Sequence, residues 1–212
     1  MQTERLVEIL SHDLPRHSHS LSAQMVAGIG AATFGVAAIF LGLYGWRDVG
    51  FEVLGLPRFV AKITLVVVLV AALWSVARRA AGPIRVTARD LRLLKFVFVT
   101  WVVALMAEAF VTPPNDWRHL FMGANNLFCL MAIPTIGLPI LIATLAILRQ
   151  AAPANPWLAG ALSGAFSGSV ASLIYAVHCP DDSPFFISVW YGLGIAALTI
   201  LGLIGGRSLL KW

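Results

Sequence analysis

Charge is what this chain has least of. Asp, Glu, Lys and Arg make up only 12% of 212 residues, against 59% hydrophobic, and the mean hydropathy is +0.85. A soluble domain carries roughly a quarter charged residues, so this balance excludes one and makes lipid the solvent for most of the chain. Cysteine is nearly absent as well. Cys129 and Cys179 are the only two, too few for a disulfide framework or a cysteine-rich zinc module. The chain contains no C-x-x-C, G-x-S-x-G, H-E-x-x-H or P-loop, which removes the signatures of disulfide exchange, nucleophile-elbow hydrolysis, zinc proteolysis and nucleotide binding. The net charge of +5 fits the basic cytoplasmic flanks of a membrane protein, so no direct contact with nucleic acid is expected.

What is present is a series of apolar runs. Residues 1 to 20 lack the apolar core of a secretory signal, so the first run is expected to be a retained span. Six segments reach the ~20 residues that cross a hydrocarbon core: Ala23 to Tyr44, Phe59 to Ala77, Leu93 to Phe110, Leu120 to Leu148, Trp157 to Val177 and Phe185 to Gly205. Pro134 and Pro139 fall inside the long fourth segment, where a kink or an unwound turn is expected. The sequence thus predicts an all-α polytopic membrane protein: a tail over 1–22 and a six-helix domain over 23–212.

Counting basic residues by side orients the helices. Arg5, Arg16, Arg78, Arg79, Arg85, Arg89, Arg92, Lys95, Arg149, Arg207 and Lys211 fall on one side; only Arg47, Arg58, Lys62 and Arg118 fall on the other. The richer side is expected in the cytoplasm, with both termini. Glycines at 160, 164 and 168, and at 28, 35 and 42, give the fifth and first spans small faces that suit a homodimer and an intramolecular bundle equally.

Two stretches carry chemistry. In the tail, Leu6, Ile9, Leu10 and Leu14 form one helical stripe ending at Pro15, an apolar surface for lipid headgroups or for a cytoplasmic protein. Between the fifth and sixth spans, His178-Cys179-Pro180-Asp181-Asp182-Ser183-Pro184 puts a thiol, an imidazole and two carboxylates at a membrane edge. There Cys179 is expected to be reachable from outside. Asp182 or Ser183, followed by Pro184, provides an N-cap for the sixth span.

On the fourth span Met122, Asn125, Asn126 and Cys129 are spaced as one helical face that should turn inward, away from lipid. Cys129, Cys179, His178 and Met122 are a ligand set suited to Cu(I), Zn(II) or Cd(II). A disulfide is the other chemistry open to the cysteines, but with the span starting near Leu120, Cys129 lies roughly 12 to 14 Å along the helix, and the loop must dip to reach it. Glu108, inside the apolar run near the outer end of the third span, is a functional candidate expected to pair with His119 or His178, or to reach up to water.

The tail segment Glu4-Arg5-Leu6-Val7-Glu8-Ile9-Leu10-Ser11-His12-Asp13, six spans with one cysteine in the fourth, and the 178–184 motif with Phe186 and Trp190-Tyr191 together resemble the NrsF-type membrane anti-sigma factors, negative regulators of sigma F. The resemblance covers nearly the whole chain. It implies a protein of the bacterial inner membrane, not an enzyme, with no obligatory cofactor. Its tail would hold an extracytoplasmic-function sigma factor, and Cys129 and Cys179 would sense heavy metal or oxidative stress, with a thiophilic ion as signal. The His-Cys-Cys motif of zinc-type anti-sigma factors is absent. The rival reading is a membrane thiol oxidoreductase or metal transporter using the same loop.

Overall fold

A computed structural model describes residues 18–47, 57–82, 86–151 and 153–210. The tail residues Leu6, Ile9, Leu10 and Leu14 lie outside the described residues. Six helices are long and apolar enough to cross a bilayer. They are α1 (Ser18–Tyr44), α2 (Pro57–Ala80), α3 (Arg92–Val111), α5 (Asn126–Leu148), α6 (Pro156–His178) and α7 (Pro184–Leu209), with a short α4 (Trp117–Met122) between α3 and α5. The described residues contain no strand, and the expected all-α, six-span class stands.

The centre of the bundle is α6. It is the least hydropathic of the six, yet 67% of its span is buried, against 6% for α3. A helix surrounded by other helices needs no oily surface. It can therefore carry Ser163, Ser167, Ser169 and Ser172, all buried, two of them bonded back to carbonyls one turn earlier. Its glycine face is spent inside the chain: a Cβ on Gly160 would meet Gly202 O, and one on Gly164 would meet Leu198 O. Close backbone approach lets dispersion hold α6 and α7 together where no hydrophobic force acts. On α1, by contrast, Gly35 and Gly42 face open space. Span α3 is peripheral and shows Phe96, Phe98, Val103 and Phe110 outward.

Two departures from expectation bear on function. The helix α5 runs through Pro134 and Pro139 in one piece, because Ile133, Ile136, Gly137 and Ile140 between and beside them are packed against α6 and α7. The break falls earlier, at Gly123, which adopts φ 56° and ψ −174° and closes α4 with a bond from its amide to His119 O. That backbone region is open only to glycine. The fourth span therefore begins at Asn126, not near Leu120. A second irregularity, a π-helical turn over Ile187–Tyr191, lies in α7 just after the 178–184 loop.

Candidate functional site

The break at Gly123 relocates Cys129. With α5 starting at Asn126, Cys129 sits only ~4.5 Å along the helix at 1.5 Å per residue, and no deep dip of the loop is required. The supposed continuous face is corrected too: Met122 ends α4 and is half exposed, whereas Asn125 and Asn126 begin α5. Cys129 is fully buried one turn in, its amide bonded to Asn125 O at 2.8 Å.

Cys179 caps the other end of the site. Its amide closes α6 on Tyr175 O at 3.0 Å, and its thiol faces Asp181 O at 4.0 Å. Contrary to the expectation of an exposed loop cysteine, it is fully buried, and both thiols are free. The side chain of Asp181 explains how the loop is drawn in. It accepts from the amides of Ala124 at 3.3 Å and Asn125 at 3.2 Å, tying the loop to the two residues that lead into α5. The two thiols and the hydroxyls of Tyr175 and Tyr191 are electrostatic neighbours in one buried group. Neither phenol oxygen has a hydrogen-bond partner among the described residues.

Charge at this end of the bundle is matched by residues that sequence reasoning counted only toward orientation. Lys62, fully buried in the second turn of α2, donates to Cys179 O at 3.0 Å and Asp181 O at 3.5 Å, and pairs with Asp182 at 2.5 Å. Arg47, just past α1, pairs with the same carboxylate at 2.7 Å and donates to Pro180 O at 2.9 Å. Glu108 pairs with Arg58 at 3.1 Å, not with either histidine expected for it. The signal was available: charges beside an apolar run are candidates by default, and three of the four basic residues on the sparse side face the carboxylates. Ser183 takes the N-cap of α7, accepting from Phe185 N, which leaves Asp182 for the ion pairs.

His178 is engaged elsewhere. Its ring sits among Phe40, Tyr44, Phe128 and Tyr175, and its Nδ1 donates to Gly45 O at 3.2 Å. Among the described residues no group of three His, Cys, Asp or Glu is placed to hold a metal ion. What this end of the bundle holds is two buried free thiols and the buried phenols of Tyr175 and Tyr191. Burial pushes the Cys179 thiol above its ordinary value, and the nearby Lys62 ammonium offsets part of that effect. A thiol so placed is protonated and quiet at neutral pH until something displaces its proton. Beside it, a recess of about 260 Å³ lined by Arg58, His119, Asp181 and Asp182 opens at this end of the bundle.

The fold and the site define a class: a six-span membrane protein with a buried pair of free thiols at one end. The family model described as "Negative regulator of sigma F" matches residues 10–212. Over the full length of both chains, the sequence is 34% identical to the anti-sigma-F factor NrsF of Caulobacter vibrioides and 31% identical to the probable anti-sigma-F factor NrsF of Azospira oryzae. The chain belongs to the NrsF family, a family of transcriptional regulators, not of enzymes. No solved structure matches it.

Proposed function

We propose that this protein is an anti-sigma factor of the bacterial inner membrane. It sequesters an extracytoplasmic-function sigma factor through the tail stripe Leu6, Ile9, Leu10 and Leu14, and releases it when a thiophilic metal or an oxidant acts on Cys129 and Cys179. Family membership supports the sigma-factor partner. The excess of Lys and Arg on one side supports a cytoplasmic tail and a thiol site near the outer face.

The observation that carries the sensing role is the burial of two free thiols drawn to one end of the bundle by Asp181. Structural cysteines can be buried alone, as small hydrophobes. This pair instead flanks a polar loop in which Asp181 holds the residues leading into the helix of Cys129, and Asp182 pairs with Lys62 and Arg47. A divalent soft ion would displace one proton from each thiol and bridge two thiolates. An oxidant would take two electrons and two protons to leave a disulfide. Either event favours the packing that best fits the new species, and release follows only if the two packings differ in that affinity.

The test is a sigma-dependent reporter in cells carrying Cys129→Ser, Cys179→Ser or both, challenged with cadmium or a thiol oxidant. Each single change should remove the response, and the double should match either single one. A normal response from either well-accumulated single mutant would sink the thiol reading.

A further inference from the structure

The 178–182 loop is tied not only to α5 but to the two spans on its other side, and the ties are unusually polar for this chain. Lys62 is a buried ammonium, and an ammonium taken out of water is costly to leave unpaired. All its acceptors, Cys179 O, Asp181 O and the Asp182 carboxylate, belong to this one loop. Any movement of the backbone at Cys179 strips the charge of partners it cannot replace from nearby lipid. The loop therefore moves with Lys62 or not at all.

The connection to α1 is separate and equally specific. Gly45 closes α1 with φ 75°, its amide bonded to Leu41 O, and its carbonyl receives the His178 Nδ1 bond. Two residues on, Arg47 holds Asp182 and Pro180 O together. Elsewhere α1 packs chiefly on α5 and only slightly on α6. These bonds, with the packing of Phe40 and Tyr44 on the His178 ring, join its end to the cysteine loop, and α1 is the span that continues in sequence into the tail.

Resting on the thiol-sensing reading above, we propose that Lys62 and Arg47 are the positioning residues of the site: Lys62 fixes the loop that carries Cys179, and Arg47 passes its displacement to α1. The two carboxylates of the loop divide the work. Asp181 gathers the thiols, and Asp182 is the shared anchor of the two cations.

The experiment uses the full chain in membranes with its sigma factor, cadmium as the probe, and two readouts. One is protection of Cys129 and Cys179 by cadmium from a small membrane-permeant maleimide, over an incubation long enough to label the untreated parent and scored after denaturation; the other is the sigma-dependent reporter. Arg47→Gln should keep parent-like cadmium protection while induction falls roughly tenfold or more, the size of an ordinary coupling between sites. Arg47→Lys, which keeps the ion pair, should return part of the induction. Normal induction in Arg47→Gln overturns the proposal. So does loss of both readouts, because Arg47 would then only shape the thiol site.

Lys62→Met should expose Cys179 to a membrane-impermeant maleimide without cadmium, and unchanged protection removes Lys62 from the proposal. Where that variant does not accumulate, Asp182→Asn carries the same test. A normal cadmium response in Cys179→Ser overturns the thiol reading and the coupling together, whereas a normal response confined to Arg47→Gln overturns only the coupling.

Discussion

Asp181, two residues beyond Cys179, accepts the backbone amides of Ala124 and Asn125, which lie just ahead of Cys129. A carboxylate from the loop that carries one thiol thus holds the two residues that lead into the helix carrying the other.

Removing that carboxylate has a defined cost. Asp181→Ala should lower stability by about 1.5–3 kcal/mol, the usual worth of a hydrogen bond to a charged group, while Asp181→Asn, which keeps an acceptor oxygen, should lose less. Unfolding of the purified protein in detergent measures the difference. Equal stability of the parent and the Ala variant would mean that water serves the amides of Ala124 and Asn125 equally well.

Gly123 should tolerate no side chain. Its dihedrals belong to a region that is essentially glycine-only, costing about 1–3 kcal/mol otherwise, and an added Cβ would run into the Phe186 ring. Gly123→Ala is therefore expected to destabilise by at least that amount, read in the same unfolding assay.

Glycines of the bundle should separate by position. Gly164→Ala places a methyl against the backbone of Leu198 and should weaken the α6–α7 contact, whereas Gly35→Ala meets nothing within 4 Å and should be neutral or gain up to ~1 kcal/mol of helix propensity. Yields of folded protein after extraction compare the two directly.

Labelling of Cys179 should be slow and strongly pH-dependent. Full burial hides the thiol from a membrane-impermeant maleimide, and the same burial raises its titration above the ordinary cysteine range. The reactive thiolate is thus scarce at neutral pH and grows only as pH climbs toward that raised value. Rapid labelling of the untreated protein at neutral pH would contradict the buried placement.

At the opposite end, the backbone amide and hydroxyl of Thr87 hold the Asp90 carboxyl below its ordinary value, with Arg79 adding to the effect. A lowered folded-state value means the turn gains stability above the unfolded titration near 3.8 and loses it as pH falls through the lowered value. Amide exchange at Thr87 should accelerate in that acid window and, in Asp90→Asn, already be fast at neutral pH relative to the parent.

Much of this was legible in residues alone. Six runs of sufficient length gave six spans, and the glycines at 160, 164 and 168 marked a close packing face, though only the structure shows α7 as its partner. Cys129 and Cys179 were recognised as belonging to one end. The break at Gly123 was missed because hydropathy averages over a window and one glycine hardly changes it, while the left-handed dihedral that ends α4 leaves no trace in composition. Lys62 was missed for a different reason. Counting basic residues by side treats each as a topogenic charge, and the pairing that lets an ammonium be buried depends on Asp182, 120 residues away in sequence. Glu108 was singled out correctly as an unusual charge, but its partner Arg58 lies on a neighbouring span that no periodicity could assign.

The serine- and glycine-rich composition of α6 has a consequence for how the protein is made. A segment this poor in bulky apolar side chains gains less from lipid than the other five spans do, yet it ends as the bundle's most enclosed helix. Its place in the membrane therefore leans on its neighbours, and on α7 above all, whose glycines complete its seat. Chains cut short before α7 should therefore leave the small-residue face of α6 uncovered and be cleared by quality-control proteases faster than the full chain.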